Sequence, residues 1–420
     1  MSRINISLVN DCNLQKDVID TLNHFHFRKI RLTNNTENVV LRATVDELSI
    51  CIKSNNSNTK RISNNSLLII QTELDRYKQE SKNLLVNRVA PTSNHFVPFI
   101  DALADEVEKK ILSLLNSKND IGKGKPFGVV MSHDVDGVGR FYSGSLKSAI
   151  VFFGNAIRTW KNPVISLSYL AKSLRFLSGN VDYYGFDLIV KVAKKYNFKP
   201  VLFFYVHLDN ENNLNLLERL KGVNPNYRLT NIKSVVDKLK VFGAEVGLHG
   251  SYKSANNLDL FRQEKNSLEE ELNITCKSTR QHYLNSYGGI SLGNYCQTGI
   301  RYDFTCGTVY EDAFYCGTCR PFYYQPIASS NAVIIIPMVF MDAVSLYFRP
   351  ANKAEICLEI DRLLAILKQY GGFASFNFHQ RMISAIPEFY DIYEYLASKT
   401  IEMKGEILKA DNLDEIYEMQ

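Results

Sequence analysis

Beyond residue 126 the chain alternates short apolar runs with amphipathic segments of helical periodicity. Continuous apolar runs are typical of parallel strands that are covered on both faces, and the segments between them have the spacing of surface helices. This alternation predicts an α/β fold with a parallel sheet or barrel, in which catalytic residues lie at the carboxyl ends of the strands. The apolar runs are Phe127–Met131, Pro200–Val206, Ala244–Leu248, Val333–Pro337 and Phe373–Phe378. The helical segments are Val181–Tyr196, Thr230–Phe242, Asp259–Asn273 and Ala354–Tyr370.

The first 120 residues have a different pattern. Asn38–Lys53 alternates as strands do, and Phe99–Leu115 has apolar residues at helical spacing. The polar segment Asn116–Pro126, with two Gly and a Pro, then reads as a linker. We therefore predict an N-terminal α/β accessory domain over residues 1–122, a barrel over 126–400 and a helical tail over 401–420.

Composition and charge exclude several classes of protein. With 45% hydrophobic and 22% charged residues, the chain has the make-up of a globular protein. Its net charge of +5 is taken to be widely spread, so no nucleic-acid partner is expected. The N-terminus lacks a secretory pattern, and no apolar window of about 18 residues exists, so a cytoplasmic protein without a transmembrane segment is expected. The basic and aromatic segment Tyr142–Leu177 reads as a helical insertion, with a lid or peripheral contact at the inner membrane face as alternatives.

The eight cysteines do not have the density of a disulfide framework. We expect them to be reduced thiols. Cys316 and Cys319 form a lone CxxC without a second pair at zinc-ribbon spacing, which indicates a structural or incidental role.

Polar residues follow the predicted strands at the point where chemistry is expected. Turn formation is the alternative for the aspartates, and simple hydrogen bonding is the alternative for each histidine. Taken together, Asp and His sets at strand ends are typical of a divalent-metal site with an open position for water. The residues concerned are Asp134, Asp136, His249, Arg280, His282 and His379.

In order and spacing these motifs resemble the polysaccharide deacetylase (NodB-homology) superfamily, the carbohydrate esterases of family 4. Within it they are similar to a bacterial branch with an HDVD first motif and an extra N-terminal domain. SHDVD corresponds to the first motif, EVGLHGSY to the second, TRQHYL to the third and FHQ to the last, from about Phe127 to His379. The resemblance implies a distorted (β/α)7-type barrel that removes N- or O-acetyl groups from sugars, usually with a divalent metal.

The resemblance also implies a role for each matching residue. Asp134 would be the general base, Asp136 and His249 metal ligands, Arg280 the residue that orients the base, and His379 the general acid. Tyr283 keeps the aromatic residue of the third motif. The metal is expected to be zinc, with cobalt, nickel or manganese as alternatives.

One departure affects the metal site. The family has a second metal-binding histidine four residues after the first, where this chain has Lys253. His282 occupies a position where the family has Pro, and we expect it to supply the third ligand. If nothing replaces that ligand, metal affinity falls or the site is metal-free.

Substrate contacts are predicted for Tyr283, Arg320, Ser251 and Asp342. A structural arginine that packs loops is the alternative for Arg320.

The leading hypothesis is a metal-dependent deacetylase acting on an acetylated sugar, a nucleotide- or lipid-linked sugar or oligosaccharide of surface-glycan biosynthesis inside the cell. A catalytically inactive carbohydrate-binding or assembly protein is the first alternative, and Lys253 is its best argument. A non-sugar amide or ester hydrolase on the same barrel is the second, because a fold does not fix a function.

Overall fold

The structure is a computed structural model of the 420-residue chain. It describes residues 4–10, 16–26, 30–33, 39–43, 48–52, 60–62, 70, 98–114, 126–138, 144–178, 181, 184–208, 227–326 and 331–413.

The N-terminal part contains a five-stranded sheet with the order β2-β1-β3-β4-β5. Strands β1, β2 and β3 are parallel, and β3, β4 and β5 are antiparallel. Strands β3 and β4 fall within Asn38–Lys53, where the sequence pattern predicts strands. The strands are β1 Ile4–Asn10, β2 Ile30–Thr33, β3 Val39–Ala43, β4 Leu48–Ile52 and β5 Lys60–Ile62.

A second sheet contains the remaining strands, in the order β11-β12-β10-β9-β8-β7-β6-β14-β13, with β15 beside β6. All of its pairs are parallel except β11 with β12. The mainly parallel arrangement confirms the α/β class predicted from the apolar runs. The strands are β6 Gly128–Val135, β7 Val201–Phe204, β8 Glu245–Gly250, β9 Ser278–Gln281, β10 Tyr302–Asp303, β11 Phe322–Tyr324, β12 Val333–Ile335, β13 Met338–Met341, β14 Phe373–Asn377 and β15 Glu406–Ile407.

The predicted helices are present, with shifts of a few residues at their ends. Helix α9 begins with a capping box between Asn352 and Glu355, and it ends at Gly371, whose φ of 67° favours glycine. The helices are α1 Lys16–Thr21, α2 Phe99–Leu114, α3 Gly144–Arg158, α4 Pro163–Leu177, α5 Phe186–Lys195, α6 Leu229–Phe242, α7 Leu258–Leu272, α8 Gly289–Thr298, α9 Lys353–Tyr370, α10 Gln380–Ala385 and α11 Pro387–Glu402. Among the residues described, no helix has the length and apolar character needed to cross a membrane.

The second sheet is strongly curled. Arg280 on β9 donates hydrogen bonds to Ser132 on β6 (2.8 Å) and to Ser375 on β14 (2.9 Å). In a flat sheet β9 and β6 would lie about 14 Å apart, three strand spacings, which is beyond the reach of one side chain. The sheet therefore curves into an open barrel that brings side chains from distant strands together, as the predicted fold class requires.

The C-terminal segment differs from the helical tail predicted over residues 401–420. Helix α11 ends at Glu402, and Glu406–Ile407 adds strand β15 to the sheet by pairing with Gly128 and Val129 of β6. Residues 414–420 lie outside the described part of the chain. Pairing with the edge of a strand satisfies the backbone hydrogen-bonding groups of this segment and so overrides its local helical pattern. A local pattern does not show that such a partner strand is present.

Candidate metal centre and active site

Side chains at the strand ends of the curled sheet converge at one edge of the sheet, which is called the groove below. Asp134 lies near the end of β6 and Asp136 directly follows it, so that the two side chains, two residues apart, point to the same face. His249 is the penultimate residue of β8, and His282 directly follows β9. Parallel strands bring these carboxyl ends to a common edge, where the sequence predicts the chemistry.

Asp136, His249 and His282 form a cluster with the composition of a metal site. One ligand atom from each lies within 4.8 Å of the others, and all three side chains are buried. Asp136 Oδ1 lies 3.3 Å from His249 Nε2 and 3.7 Å from His282 Nε2. Asp136 Oδ1, His249 Nε2 and His282 Nδ1 are buried without a hydrogen-bond partner. Buried polar atoms are rarely left unsatisfied, and a carboxylate with two imidazoles is a suitable donor set for a zinc-type ion, so the residues fit a divalent cation.

The protonation of the two histidines suits this role. His249 Nδ1 lies 2.9 Å from the carbonyl oxygen of Arg280, which can only accept a hydrogen bond, so Nδ1 carries the proton. Its Nε2 lone pair is therefore directed toward Asp136, the usual arrangement of a metal-binding imidazole. Burial lowers the pKa of His282 to about 3, which keeps that ring neutral.

Arg381 holds the second oxygen of Asp136, although the sequence analysis does not select it. Its guanidinium donates to Asp136 Oδ2. Burial acts to raise the pKa of Asp136, but Arg381 and the neighbouring histidines hold it well below its ordinary value. The available signal was the position of Arg381, two residues after His379 at the end of β14.

Asp134 and Arg280 form a buried ion pair beside the cluster. Arg280 Nη1 donates to Asp134 Oδ1 (2.9 Å), and its guanidinium carbon lies 4.8 and 5.7 Å from the ring centroids of Phe203 and Phe304. Asn377, another residue that the sequence analysis misses, donates to Asp134 Oδ2 (2.8 Å). Burial opposes ionisation, yet the Arg280 charge and the nearby histidines lower the pKa of Asp134 to about 2. The carboxylate is ionised and held by two donors.

His379 faces the same cluster and is held by Asp342. Its Nδ1 donates to Asp342 Oδ1 (2.6 Å), its backbone N–H donates to Asp342 Oδ2 (2.8 Å), and its Nε2 lies 3.4 Å from Asp136. Burial disfavours the charged imidazole, but the Asp342 carboxylate raises the pKa of His379 above its ordinary value. The substrate contact predicted for Asp342 does not fit this placement, because Asp342 is completely buried behind His379.

Tyr283 lies beside the metal cluster in an unusual backbone conformation. Its φ is 59° and that of Leu284 is 51°, a left-handed pair that is rare for bulky residues and is often found at functional sites. The Tyr283 ring stacks on His282 at 4.4 Å, and 37% of the residue is exposed. Its substrate contact stays a prediction that this placement allows.

Two other residues with predicted substrate contacts are buried in structural contacts. Arg320 is completely buried and pairs with Asp101 (3.5 Å) and Asp105 (3.2 Å) of α2, so it has the structural role that was the alternative. Ser251 is buried in the turn after β8, where its Oγ accepts from the Ser254 backbone. Sequence position alone does not show that both side chains are buried, and the substrate contact of Ser251 stays a prediction.

Lys253 and His133 are also placed clearly. Lys253, at the position where the resembling family has its second metal-binding histidine, is exposed. His133, the histidine of SHDVD, is buried between the Phe378 carbonyl oxygen (2.9 Å) and the Tyr393 hydroxyl (3.0 Å). Neither residue belongs to the metal cluster.

The cysteines differ from the expectation of reduced thiols. Cys306 and Cys316 form a disulfide, and Cys319 is a buried free thiol. The CxxC motif is therefore not a bonded pair. The segment after β10 folds back and brings Cys306 beside Cys316, a closure that the spacing of the cysteines does not predict.

No protein-family model matches the chain, and no curated protein matches it in sequence. Among solved structures, it is similar to a Mycobacterium smegmatis protein assigned as a polysaccharide deacetylase (14% identity, TM-score 0.45, 72% of this chain and 93% of that one). It is also similar to a family 4 carbohydrate esterase from Streptomyces lividans (9%, 0.30, 68% and 92%). A 4-alpha-glucanotransferase from Thermococcus litoralis is another match (11%, 0.36, 69% and 38%). Polysaccharide deacetylases of carbohydrate esterase family 4 are thus among the solved structures to which this chain is similar.

Proposed function

We propose that the protein is a metal-dependent hydrolase that removes an acetyl group from an acetylated sugar. The observation that carries the proposal is the convergence of ligand atoms from Asp136, His249 and His282 at the edge that also holds Asp134 and His379. Each of the three side chains has a buried polar atom without a hydrogen-bond partner among the described residues. A site for hydrolysis needs a place for a cation, a base and an acid within reach of one reacting group. This edge of the sheet offers all three.

Asp136, His249 and His282 would hold the cation. A divalent ion bound there supplies Lewis acidity toward a carbonyl oxygen and makes water a better nucleophile. Arg381 keeps Asp136 ionised and oriented, and the Arg280 carbonyl fixes the tautomer of His249. These contacts prepare the ligand atoms before any ion enters.

The chain's other residues would move the protons. Asp134, held by Arg280 and Asn377, takes a proton from the attacking water as the water oxygen bonds to the acetyl carbonyl carbon. His379, fixed by Asp342 through Nδ1, gives a proton from Nε2 to the leaving amine or alcohol as the C–N or C–O bond breaks. The products are acetate and the deacetylated sugar.

The inactive alternative loses its main argument in this arrangement. It rests on Lys253 in place of a second histidine, but His282 would provide the third ligand atom that catalytic zinc sites use. A non-sugar amide or ester hydrolase would use the same groups, and the substrate panel below distinguishes it. Zinc as the ion, cytoplasmic location and a nucleotide- or lipid-linked intermediate of surface-glycan biosynthesis are parts of the proposal.

Acetate release from a panel of N- and O-acetylated sugars, with zinc- or cobalt-loaded protein, tests the proposal. We expect Asp136→Ala to lower turnover by at least about 100-fold, because it removes a cation ligand beside the base. Asp259→Ala is the matched control, since that carboxylate is exposed on α7. Release of acetate from none of the sugars by the metal-loaded protein, or equal release by Asp136→Ala, would contradict the proposal.

A further inference from the structure

The positive charge of the chain is concentrated in one segment, contrary to the expectation that it is spread. Residues 137–181 contain no Asp or Glu, while the rest of the chain has 43 Lys and Arg against 44 Asp and Glu. The segment alone thus accounts for a net charge of +6 in a chain of +5. Its basic residues are Arg140, Lys147, Arg158, Lys161, Lys172 and Arg175.

Most of this segment forms a helical hairpin, α3 and α4, whose inner face packs against the barrel. Phe152 lies against the rings of Tyr169 (6.2 Å) and Phe176 (5.2 Å), and Ser173 donates to the Ala149 carbonyl (2.8 Å). The same aromatic residues belong to the core that includes Val339 of β13. The hairpin is therefore an ordered part of the fold.

The outer face of the hairpin is apolar and exposed. Of fifteen large hydrophobic residues that are exposed in the described part of the chain, nine lie here. On α3 they recur at helical spacing, opposite the buried side, and Trp160 at the turn is 69% exposed. Exposed apolar patches of this kind mark interaction sites. The nine residues are Leu146, Ile150, Phe153, Ile157, Trp160, Val164, Leu167, Leu174 and Leu177.

The hairpin is attached directly beside the candidate active site. Asn155 donates to the Leu346 carbonyl (2.9 Å), and the hydroxyls of Ser148 and Tyr347 are hydrogen-bonded (3.2 Å). Leu346 and Tyr347 belong to the turn Val344–Phe348, which starts two residues after Asp342. Whatever the outer face contacts is thereby held next to the groove.

We propose that the outer face of the α3–α4 hairpin docks the protein on the surface of an anionic phospholipid bilayer. A face that combines large apolar residues, a tryptophan and basic residues without any acid has the composition of interfacial helices. Arg158, Lys161 and Arg175 are exposed beside the apolar residues, where lipid phosphates would meet them. Each helix rises about 22 Å, less than the roughly 30 Å of a bilayer core, which suits helices lying in the interface.

Charge argues against a second copy of this chain as the occupant. Two such faces in contact would bring together basic residues with no acidic partner in either segment, and like charges facing each other are unfavourable. An anionic lipid surface supplies the missing negative charge. Docking would present the groove to a lipid-linked sugar. This consequence, unlike the docking itself, rests on the proposed deacetylase activity.

Vesicle binding tests the proposal, and the single tryptophan of the chain is its reporter. With vesicles of phosphatidylglycerol and phosphatidylcholine, we expect co-sedimentation and a shift of Trp160 emission to shorter wavelength. Pure phosphatidylcholine should bind far less protein. Ile157→Glu and Val164→Glu should each weaken binding to the anionic vesicles by at least about tenfold, through lost apolar burial and added repulsion.

Matched controls come from exposed apolar residues elsewhere. Val241→Glu on α6 and Leu358→Glu on α9 replace residues that are 90% and 68% exposed, and they should bind vesicles like the wild type. Absence of binding by the folded wild type, or equal binding by the hairpin variants, would overturn the proposal. A dimer that Ile157→Glu dissociates, without vesicle binding, would overturn it in favour of a second copy. Asp136→Ala should still bind vesicles, so a failure of the proposed catalysis is seen separately.

Discussion

Arg280 and Arg320 are both completely buried, and both pair with aspartates. Both were expected to face the groove. The partner of Arg280, Asp134, lies beside a cluster in which each side chain has a buried polar atom without a hydrogen-bond partner among the described residues. The partners of Arg320 instead lie on α2, where Asp101 also accepts from Thr318 (3.1 Å) and the Cys319 backbone (2.7 Å). The difference shows that a buried Arg–Asp pair indicates catalysis only where unsatisfied groups adjoin it. Elsewhere the same pair fastens elements together.

The largest effect expected from this comparison is on stability. Arg320→Ala should lower the free energy of unfolding by about 3–5 kcal/mol, because Asp101 and Asp105 are left buried without their counter-charge. Denaturant unfolding measures this loss, and Arg320→Lys is a milder variant if the first does not fold. The Michaelis constant of the folded fraction should not change. A raised Michaelis constant with little loss of stability would return Arg320 to the groove.

Substitutions at the candidate active site should affect turnover. His379→Ala should lower kcat by about 100-fold, since proton transfer by a positioned group contributes on that scale. Asp342→Asn, which keeps one acceptor for His379 Nδ1, should lower kcat by only about tenfold.

The Michaelis constant for an acetylated sugar should stay near that of the wild type in both variants. Steady-state kinetics with circular dichroism as a folding control separates the two effects. Equal kcat in His379→Ala and wild type would remove His379 from the mechanism.

The sequence predicts the parts of the site that depend on position along a strand. Asp134, Asp136, His249, Arg280 and His379 all lie at strand ends, because parallel strands share one catalytic edge. Placement of a side chain on one side of a loop depends on tertiary packing, which local patterns do not contain. For this reason the burial of Arg320, Ser251 and Asp342 was not anticipated, and Arg381 and Asn377 were missed.

The same reasoning applies to the fold. Apolar runs and helical periodicity predict the α/β class and most elements of the barrel region. Strand β15 was not anticipated within the helical tail predicted over residues 401–420. It is only two residues long, and it is held by pairing with β6, which a local pattern does not show. The boundary of the N-terminal domain stays a prediction, and the contact of α2 with Arg320 ties that helix to the barrel segment.

Glu245 differs from the aspartates that pair with Arg280 and Arg320, because none of the charged neighbours that influence its pKa is an arginine. It accepts a hydrogen bond from Ser278, and burial raises its pKa to about 7. The folded state therefore holds a proton that the unfolded state releases above its ordinary pKa of 4.5. The contribution of Glu245 to stability should fall as pH rises from about 4.5 to about 7 and then level off.

Glu245→Gln should remove this loss, roughly 2–3 kcal/mol between pH 5 and pH 8. Thermal unfolding at the two pH values measures it. An identical pH dependence in variant and wild type would contradict the raised pKa.

The smallest effect is expected at Lys253. Since its side chain is exposed and outside the cluster, Lys253→Ala should change metal affinity and stability by no more than about 0.5 kcal/mol. Calorimetric titration with zinc and thermal unfolding check both quantities. A marked loss of affinity would show that Lys253 takes part in the site.

Zinc titration of the metal-free protein tests whether His282 is the third ligand. Isothermal calorimetry should find one ion per chain in the wild type, and His282→Ala should weaken binding by at least about 100-fold, the cost of losing one of three ligand atoms. His24→Ala, remote from the cluster in a contact with Phe25, is the matched histidine control and should bind like the wild type. Unchanged affinity in His282→Ala, or no zinc binding by the wild type, would contradict the account.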